Sequence, residues 1–495
     1  MSFPDLIVNQ SIKTSYHHPD SVRKMPVSRS LIKMRKLTTF LLLLLSFAAE
    51  AEDLYRVQFA PDLNSVTVEA CFEGPPPHSL YRHDEAWQFT EFVRAPDNTP
   101  MPVSQSRQLK LSSLRDDSCL QWRVDLAKAL AQKDYRLALQ LDGAVLSDAD
   151  LWFWRDDQRR RIRVEVELPE GMSLSAPWKE QAGKDEHIYW PEQTPAAWSS
   201  RIAVGRFPVQ KLNVPGTQVR LSVIGKVTDA QRELFTHWIL ETAECVASID
   251  GRFPQSQPQI LVVAIGPQSE PVPWAHVVRG GGVAAEFFVD ETRSLEEFRA
   301  DWTATHELSH MLLPMVSSRD RWLSEGLASY YQNVLRGRDG RLDDAAAWQK
   351  LHAGFERGKR ATRPESLARA TRSGRSATMR VYWSGAAIFL KADTQLRAVS
   401  GGTQSLDTAL ASFQDCCLDA RRSWRARELF LELDRLTGHT IFMDLYEKHV
   451  PAREFPDLDE TYAQLGLVPG ASTMNLNTEA PLSLVRLEIM QGAHP

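Results

Sequence analysis

Between residue 52 and about residue 225, apolar and polar positions alternate in short runs. "SVTVEACFEG", "RIRVEVELPEG" and "QVRLSVIG" each follow that period of two and end at glycine or proline turns, so they predict strands. Many short strands separated by such turns predict a β-sandwich over 52–225. The period then changes. "TDAQRELFTHWILETAECVASIDG" (228–251) has helical spacing, opens on a Thr/Asp cap and closes at Asp250-Gly251. "PQILVVAIG" (258–266) is a continuous apolar run that fits a strand buried on both faces, and "PWAHVVRGGGVAAEFFVD" (273–290) fits a strand pair interrupted by glycines. Ser294-Leu295-Glu296-Glu297 forms a capping box, predicting a helix from there to Met311–Leu313, where Pro314 stops it. Asp320 is placed to cap a further helix, "RWLSEGLASYYQNVLRG", ending at Gly337. Helical spacing continues from about 341 to 467, and the last 25 residues carry little signal. The expected architecture is α+β and multidomain, with units at 1–51, 52–225, 226–400 and 401–495.

Composition supports a globular chain: 43% of the 495 residues are hydrophobic and 24% charged. The segment 33–53, "KMRKLTTFLLLLLSFAAEAED", has the build of a signal peptide. Lys33, Arg35 and Lys36 precede an apolar stretch containing Leu41–Leu45, and Ala49-Glu50-Ala51 forms the cleavage site. The apolar run is shorter than the roughly 20 residues a spanning helix needs, so no stable membrane span is expected. Export to a periplasm or the exterior follows, with Met1 or Met34 as the start. Removing residues 1–51 takes away seven basic and three acidic residues, changing the net charge from −5 to −9. That balance disfavours nucleic acid and anionic membranes as partners. In an exported chain, Cys71 and Cys119, within one domain, are the expected disulfide, with buried reduced cysteines as the alternative, and the odd count of five leaves one thiol free or pairing between chains. The vicinal Cys416-Cys417 pair reads as structural. Oligomeric state is left open.

The candidate chemistry lies in "THELSHMLLP" (305–314). Positions four apart on a helix differ by about 40° around its axis, so His306 and His310 present their imidazoles from one face. Two imidazoles so placed reach one Zn²⁺, and a catalytic zinc takes three protein ligands plus an open position. Glu325, in "WLSEGLASYY", is the candidate third ligand. Glu307, beside the first histidine, is a candidate general base for the attacking water. His276 and His237 read as structural histidines.

HELSH followed by "WLSEGLASYY" resembles the gluzincin peptidases, in particular the aminopeptidase N and glycyl aminopeptidase families. The resemblance implies a thermolysin-like zinc peptidase domain over 226–400, one Zn²⁺ per chain, and a peptide or protein substrate. It implies His306, His310 and Glu325 as ligands and Glu307 as the base. "MRVYWSGAAIFL" (379–390) resembles the segment whose tyrosine stabilises the oxyanion in those families, which maps that role onto Tyr382. Two departures stand out. Fourteen residues separate His310 from Glu325, a short connection for these families. The families' Gly-x-Met-Glu-Asn strand, whose glutamate binds the substrate amine, is matched here by "RGGGVAAEFF". Gly281 and Gly282 are then expected to line the substrate and Glu286, displaced by two or three positions, to hold the amine, with a solvated or salt-bridged carboxylate as the alternative for Glu286. The glycines alternatively form a turn. The function implied is an exported aminopeptidase. A zinc endopeptidase and an inactive binding protein on the same fold are the alternatives.

Overall fold

The computed structural model describes residues 52–157, 160–181, 187–418, 421–470 and 472–492. The extension and signal segment expected at 1–51 lie outside these residues. Tyr55, Val57 and Phe59 in Glu52–Phe59 point inward at every second position, as do Ile162, Val164 and Val166 in Arg161–Glu167. That alternation builds a seven-stranded sheet in the order Lys179–Glu180, Ile188–Trp190, Arg161–Glu167, Glu52–Phe59, Ser65–Cys71, Cys119–Asp125, Thr90–Arg94. Cys71 and Cys119 lie directly opposite one another in this sheet and are joined as a disulfide. A four-stranded sheet, Ser173–Ser175, Arg201–Gly205, Ala144–Asp148, Ala138–Leu141, shares its core through Leu174, Val145, Ile202 and Val204. Trp122, Trp152, Trp154 and Trp178 fill that core.

"QVRLSVIG" forms the strand Thr217–Ile224 but departs from the expected grouping, because it pairs in a third sheet. The alternation that seemed to give it a wet face is misleading. Arg220 and Ser222 are both buried, with partners at the Gln257 carbonyl and the Ser175 hydroxyl. Polar side chains are tolerated inside when each finds a hydrogen bond. The third sheet runs Val209–Val214, Thr217–Ile224, Gln259–Ala264, Ala284–Val289, Trp274–Val278, with its three middle strands parallel. One face, through Val219, Ile260, Val262, Ala285 and Phe287, packs on helices. The other, through Leu261, Val263 and Phe288, packs on Ala144, Leu146 and Ala203 of the four-stranded sheet.

Helix α1 (Asp229–Ala247) starts at Thr228, whose side chain forms a capping box with Gln231, and packs Trp238 against Phe287. The single helix expected from Ser294 to Leu313 is three pieces: α2 (Leu295–Ala300), α3 (Thr303–Ser309) and a 3-10 turn, His310–Leu312. Asp301 makes the break. It is extended, and its carboxylate accepts from the Thr303 N–H at 2.7 Å, turning the chain between α2 and α3. Asp320 does not cap α4 (Arg321–Arg338) as expected, because its carboxylate is taken by Arg425 and the Ala426 N–H. Next come α5 (Asp344–Arg360) and α6 (Thr378–Ser400), then shorter helices at Leu406–Cys417, Ala426–Thr437, Ile441–His449 and Asp459–Leu465. The final residues, weak in sequence signal, fold as a hairpin (Leu467–Pro469 with Met474–Leu476) and the helix Ser483–Gln491. No helix among the described residues is long and apolar enough to cross a membrane.

Candidate active site

Helix α3 with the 3-10 turn after it, α4 and α6 carry the candidate residues, and two glycines let α4 and α6 meet. A Cβ on Gly326 would lie 2.4 Å from the Gly385 Cα, and one on Gly385 would lie 2.1 Å from the Trp322 carbonyl oxygen. Neither position has room for a side chain, so α4 and α6 cross in backbone contact. That crossing brings Glu325, the residue before Gly326, beside Tyr382, three before Gly385.

His306 and His310 converge with Glu325, their nearest donor atoms lying within 4.8 Å of one another. Glu325 Oε2 is 3.4 Å from His306 Nε2 and 3.6 Å from His310 Nε2. Zinc bonds of about 2.0–2.1 Å in a tetrahedron separate ligand atoms by roughly 3.4 Å, so both distances fit the ion. Each imidazole is held from behind. His306 Nδ1 bonds the Gln332 side-chain oxygen at 2.8 Å, and His310 Nδ1 bonds the Ser324 hydroxyl at 2.9 Å. A donor contact through Nδ1 leaves Nε2 with its lone pair facing the cluster, the arrangement a metal requires. Glu325 Oε2 is buried without a hydrogen bond, an acceptor with room for one more partner. Burial alone would raise its pKa, but the two facing imidazoles reverse this and hold it below the usual carboxylate range. Among the described residues, two other groupings of potential ligands each pair a disulfide with one glutamate, so their sulfurs are not thiolates.

Glu307 lies on the same turn, its carboxyl raised in pKa by burial and partly restored by His310 and His306. The Tyr382 ring stacks parallel to that of His306 at 5.8 Å, and its hydroxyl lies against Glu325. Burial, then the Glu325 charge, push the phenol well above its ordinary pKa.

No protein-family description and no curated protein sequence matches the chain. Solved structures do. An aminopeptidase N family protein from Idiomarina loihiensis superposes with a TM-score of 0.64 at 13% identity, over 87% of this chain and 82% of that one. A yeast LTA4 hydrolase in complex with bestatin gives 0.52 at 14% identity, over 83% and 68%. An M1 zinc metallopeptidase from Deinococcus radiodurans, bound to a Tyr-Ser-Ala substrate, gives 0.51 at 13% identity, over 82% and 94%.

The chain has the M1 zinc metallopeptidase fold.

Within that fold, the structure does not bring Glu286, Gly281 or Gly282 to the cluster. Glu286 sits opposite His276 on the inner strand Ala284–Val289, on the same sheet face as Phe288, which packs on the N-terminal region. It is fully buried, 3.3 Å from Arg201 Nε and 3.4 Å from His276 Nε2. Glu286 thus lies in the salt-bridged setting weighed as the alternative for it. A residue two positions from one on the far face of a strand stays on the far face. The glycines are the turn weighed as their alternative. The Gly281 N–H donates to Thr194, and Cβ atoms at Gly281 and Gly282 would strike Trp178 and the Pro177 carbonyl. Sequence reasoning missed Gln332, although it lies two helical turns after Glu325 on the same face of α4. Ser324, the residue before Glu325, carries no sign in the sequence of the imidazole it meets.

Proposed function

We propose that the protein is a zinc-dependent metallopeptidase. The observation that carries this is the convergence of His306 Nε2, His310 Nε2 and Glu325 Oε2 at zinc-ligand spacing, with both imidazoles oriented from behind. These three residues would hold one zinc ion per chain, and three ligands leave a position open. When bound, zinc supplies Lewis acidity at the scissile carbonyl and favours ionisation of water. Glu307 accepts the proton of the attacking water and passes it to the departing amine. The Tyr382 hydroxyl donates to the carbonyl oxygen as that oxygen gains negative charge. Gln332 and Ser324 keep the imidazoles from rotating out of register. Export is part of the reading, supported by the leader sequence and by the Cys71–Cys119 bridge, which suits an oxidising compartment. The test pairs metal analysis with peptide turnover. Glu307→Gln should retain one zinc while turnover drops by at least about 10². Near-normal turnover in that metal-loaded variant would sink the hydrolytic mechanism.

The finer reading is an aminopeptidase, supported by the names of the M1 relatives and by the tripeptide bound to one of them. A second reading, an endopeptidase, is favoured by Glu286 being paired on the far face of the sheet. Tetraalanine and N-acetyl-tetraalanine separate them. Cleavage confined to the free amine assigns an aminopeptidase; equal rates assign an endopeptidase.

A further inference from the structure

A positive charge without a protein partner lies beside the candidate site. Arg321 opens α4 one turn before Glu325, so both project from one face of the helix. Its guanidinium lies over the Tyr382 ring, 5.9 Å from the centroid. Among the described residues it forms no ion pair and its side chain donates no hydrogen bond. This placement does little for stability. A cation at a helix start opposes the helix dipole, and one beside a divalent-metal site is repelled by the ion. Five N–H donors in a fixed plane are left to water or to a substrate.

The strand beside the zinc-ligand helix offers no opposite charge. Trp274–Val278 is the edge of its sheet and packs on α3. Ala275 and Val277 face the helices, while Trp274 and His276 face the N-terminal region. A substrate amine thus finds no carboxylate on that strand's inner face. The approach to α6 is basic as well. Residues 356–380 hold eight Lys or Arg and two Glu, and Arg357 lies over Trp383, the neighbour of Tyr382. Such a stretch attracts anions in a chain that is acidic overall.

Resting on the peptidase reading, we propose that substrates are anchored through a carboxylate held by the Arg321 guanidinium beside Tyr382. The carboxylate belongs either to an acidic side chain near the scissile bond or to the C-terminus of a short peptide. The planar fork of arginine matches both bidentately, and such charge-assisted bonds are roughly twice as strong as neutral ones.

The test measures peptide binding by calorimetry to the zinc-loaded Glu307→Gln protein, so that turnover does not interfere. The probes are tetraalanine, tetraalanine amide, and two tetraalanine amides in which one alanine is replaced by glutamate or by glutamine. Either carboxylate-bearing peptide should bind about tenfold more tightly than its neutral counterpart, on the scale of one charge-assisted contact. The free-acid and glutamate arms tell the two sources apart. Adding Arg321→Gln should bring the affinities together, and Arg321→Lys, which keeps the charge, should restore part of the difference. Equal affinities for charged and neutral peptides, or a preference that survives Arg321→Gln, overturns the assignment. Carboxylate-dependent binding with no cleavage by the zinc-loaded unmodified chain upholds Arg321 and removes the peptidase reading instead.

Discussion

At the scale of single residues, Tyr382 links the zinc-ligand cluster to the chemistry proposed for it. An oxyanion donor must keep its proton, and burial next to Glu325 ensures this by moving the phenol pKa upward. Tyr382→Phe removes one hydroxyl and leaves the ring stacked on His306. Zinc content and KM should hold while kcat falls by about 10²–10³, the loss usual for one such donor. An unchanged kcat would mean that Tyr382 only packs. His306 and His310 could be singled out in the sequence because a four-residue helical interval constrains direction whatever surrounds it, whereas Glu325 was marked by the likeness of "WLSEGLASYY" to the gluzincin third-ligand segment. Gln332 could not, because a glutamine on a helix carries no sign of which imidazole it will meet.

At the scale of elements, the crossing of α4 and α6 determines whether ligand and phenol meet at all. Gly385→Ala would drive a methyl group into the Trp322 carbonyl, which is backbone and cannot rotate away. Overpacking of this kind costs roughly 1–3 kcal/mol. We expect a lowered denaturant midpoint together with a lower kcat, since parting the helices separates Glu325 from Tyr382. A variant of unchanged stability and kcat would show that the helices can move apart freely. The same scale explains the misread helix at 294–313. Its start signal at Ser294 is genuine, as the Ser294–Glu297 capping box is present, but Asp301, extended and bonded to the Thr303 N–H, breaks the run. An aspartate inside a helical pattern reads as an ordinary surface residue until its carboxylate is seen to accept from the backbone two residues on.

At the scale of the whole molecule, acid sensitivity follows from histidines that are buried neutral. His449 lies inside the C-terminal helical region, 6% exposed. Its pKa is lowered to about 4, by burial first, then by Lys391 and Lys448, with Asp457 opposing. The unfolded chain, titrating near 6.5, therefore binds more protons than the folded one between pH 6.5 and 4. Stability is full above that window and declines as pH falls through it, by up to about 3 kcal/mol for this group. Thermal unfolding between pH 7.5 and 4.5 should show His449→Gln losing less stability than the unmodified chain. Parallel losses would place the acid sensitivity elsewhere.

What the sequence determined by itself was local and directional. The period-two strands of the N-terminal region, the capping boxes at Thr228 and Ser294, and the histidine pair on one helical face all follow from neighbours a few residues apart. The cysteines at 71 and 119 were also recognisable as a pair, by their shared domain. Tertiary structure decided which sheet a strand joins and which face a side chain takes. Thr217–Ile224 went to the third sheet because Arg220 and Ser222 found buried partners from distant segments. Glu286 turned to the far face because the strand pairing of His276 with Glu286 fixed its parity, a one-residue matter that composition and spacing leave open. The contact between Gly326 and Gly385 joins positions 59 residues apart, and only the packing of two helices could bring Glu325 and Tyr382 to a common site.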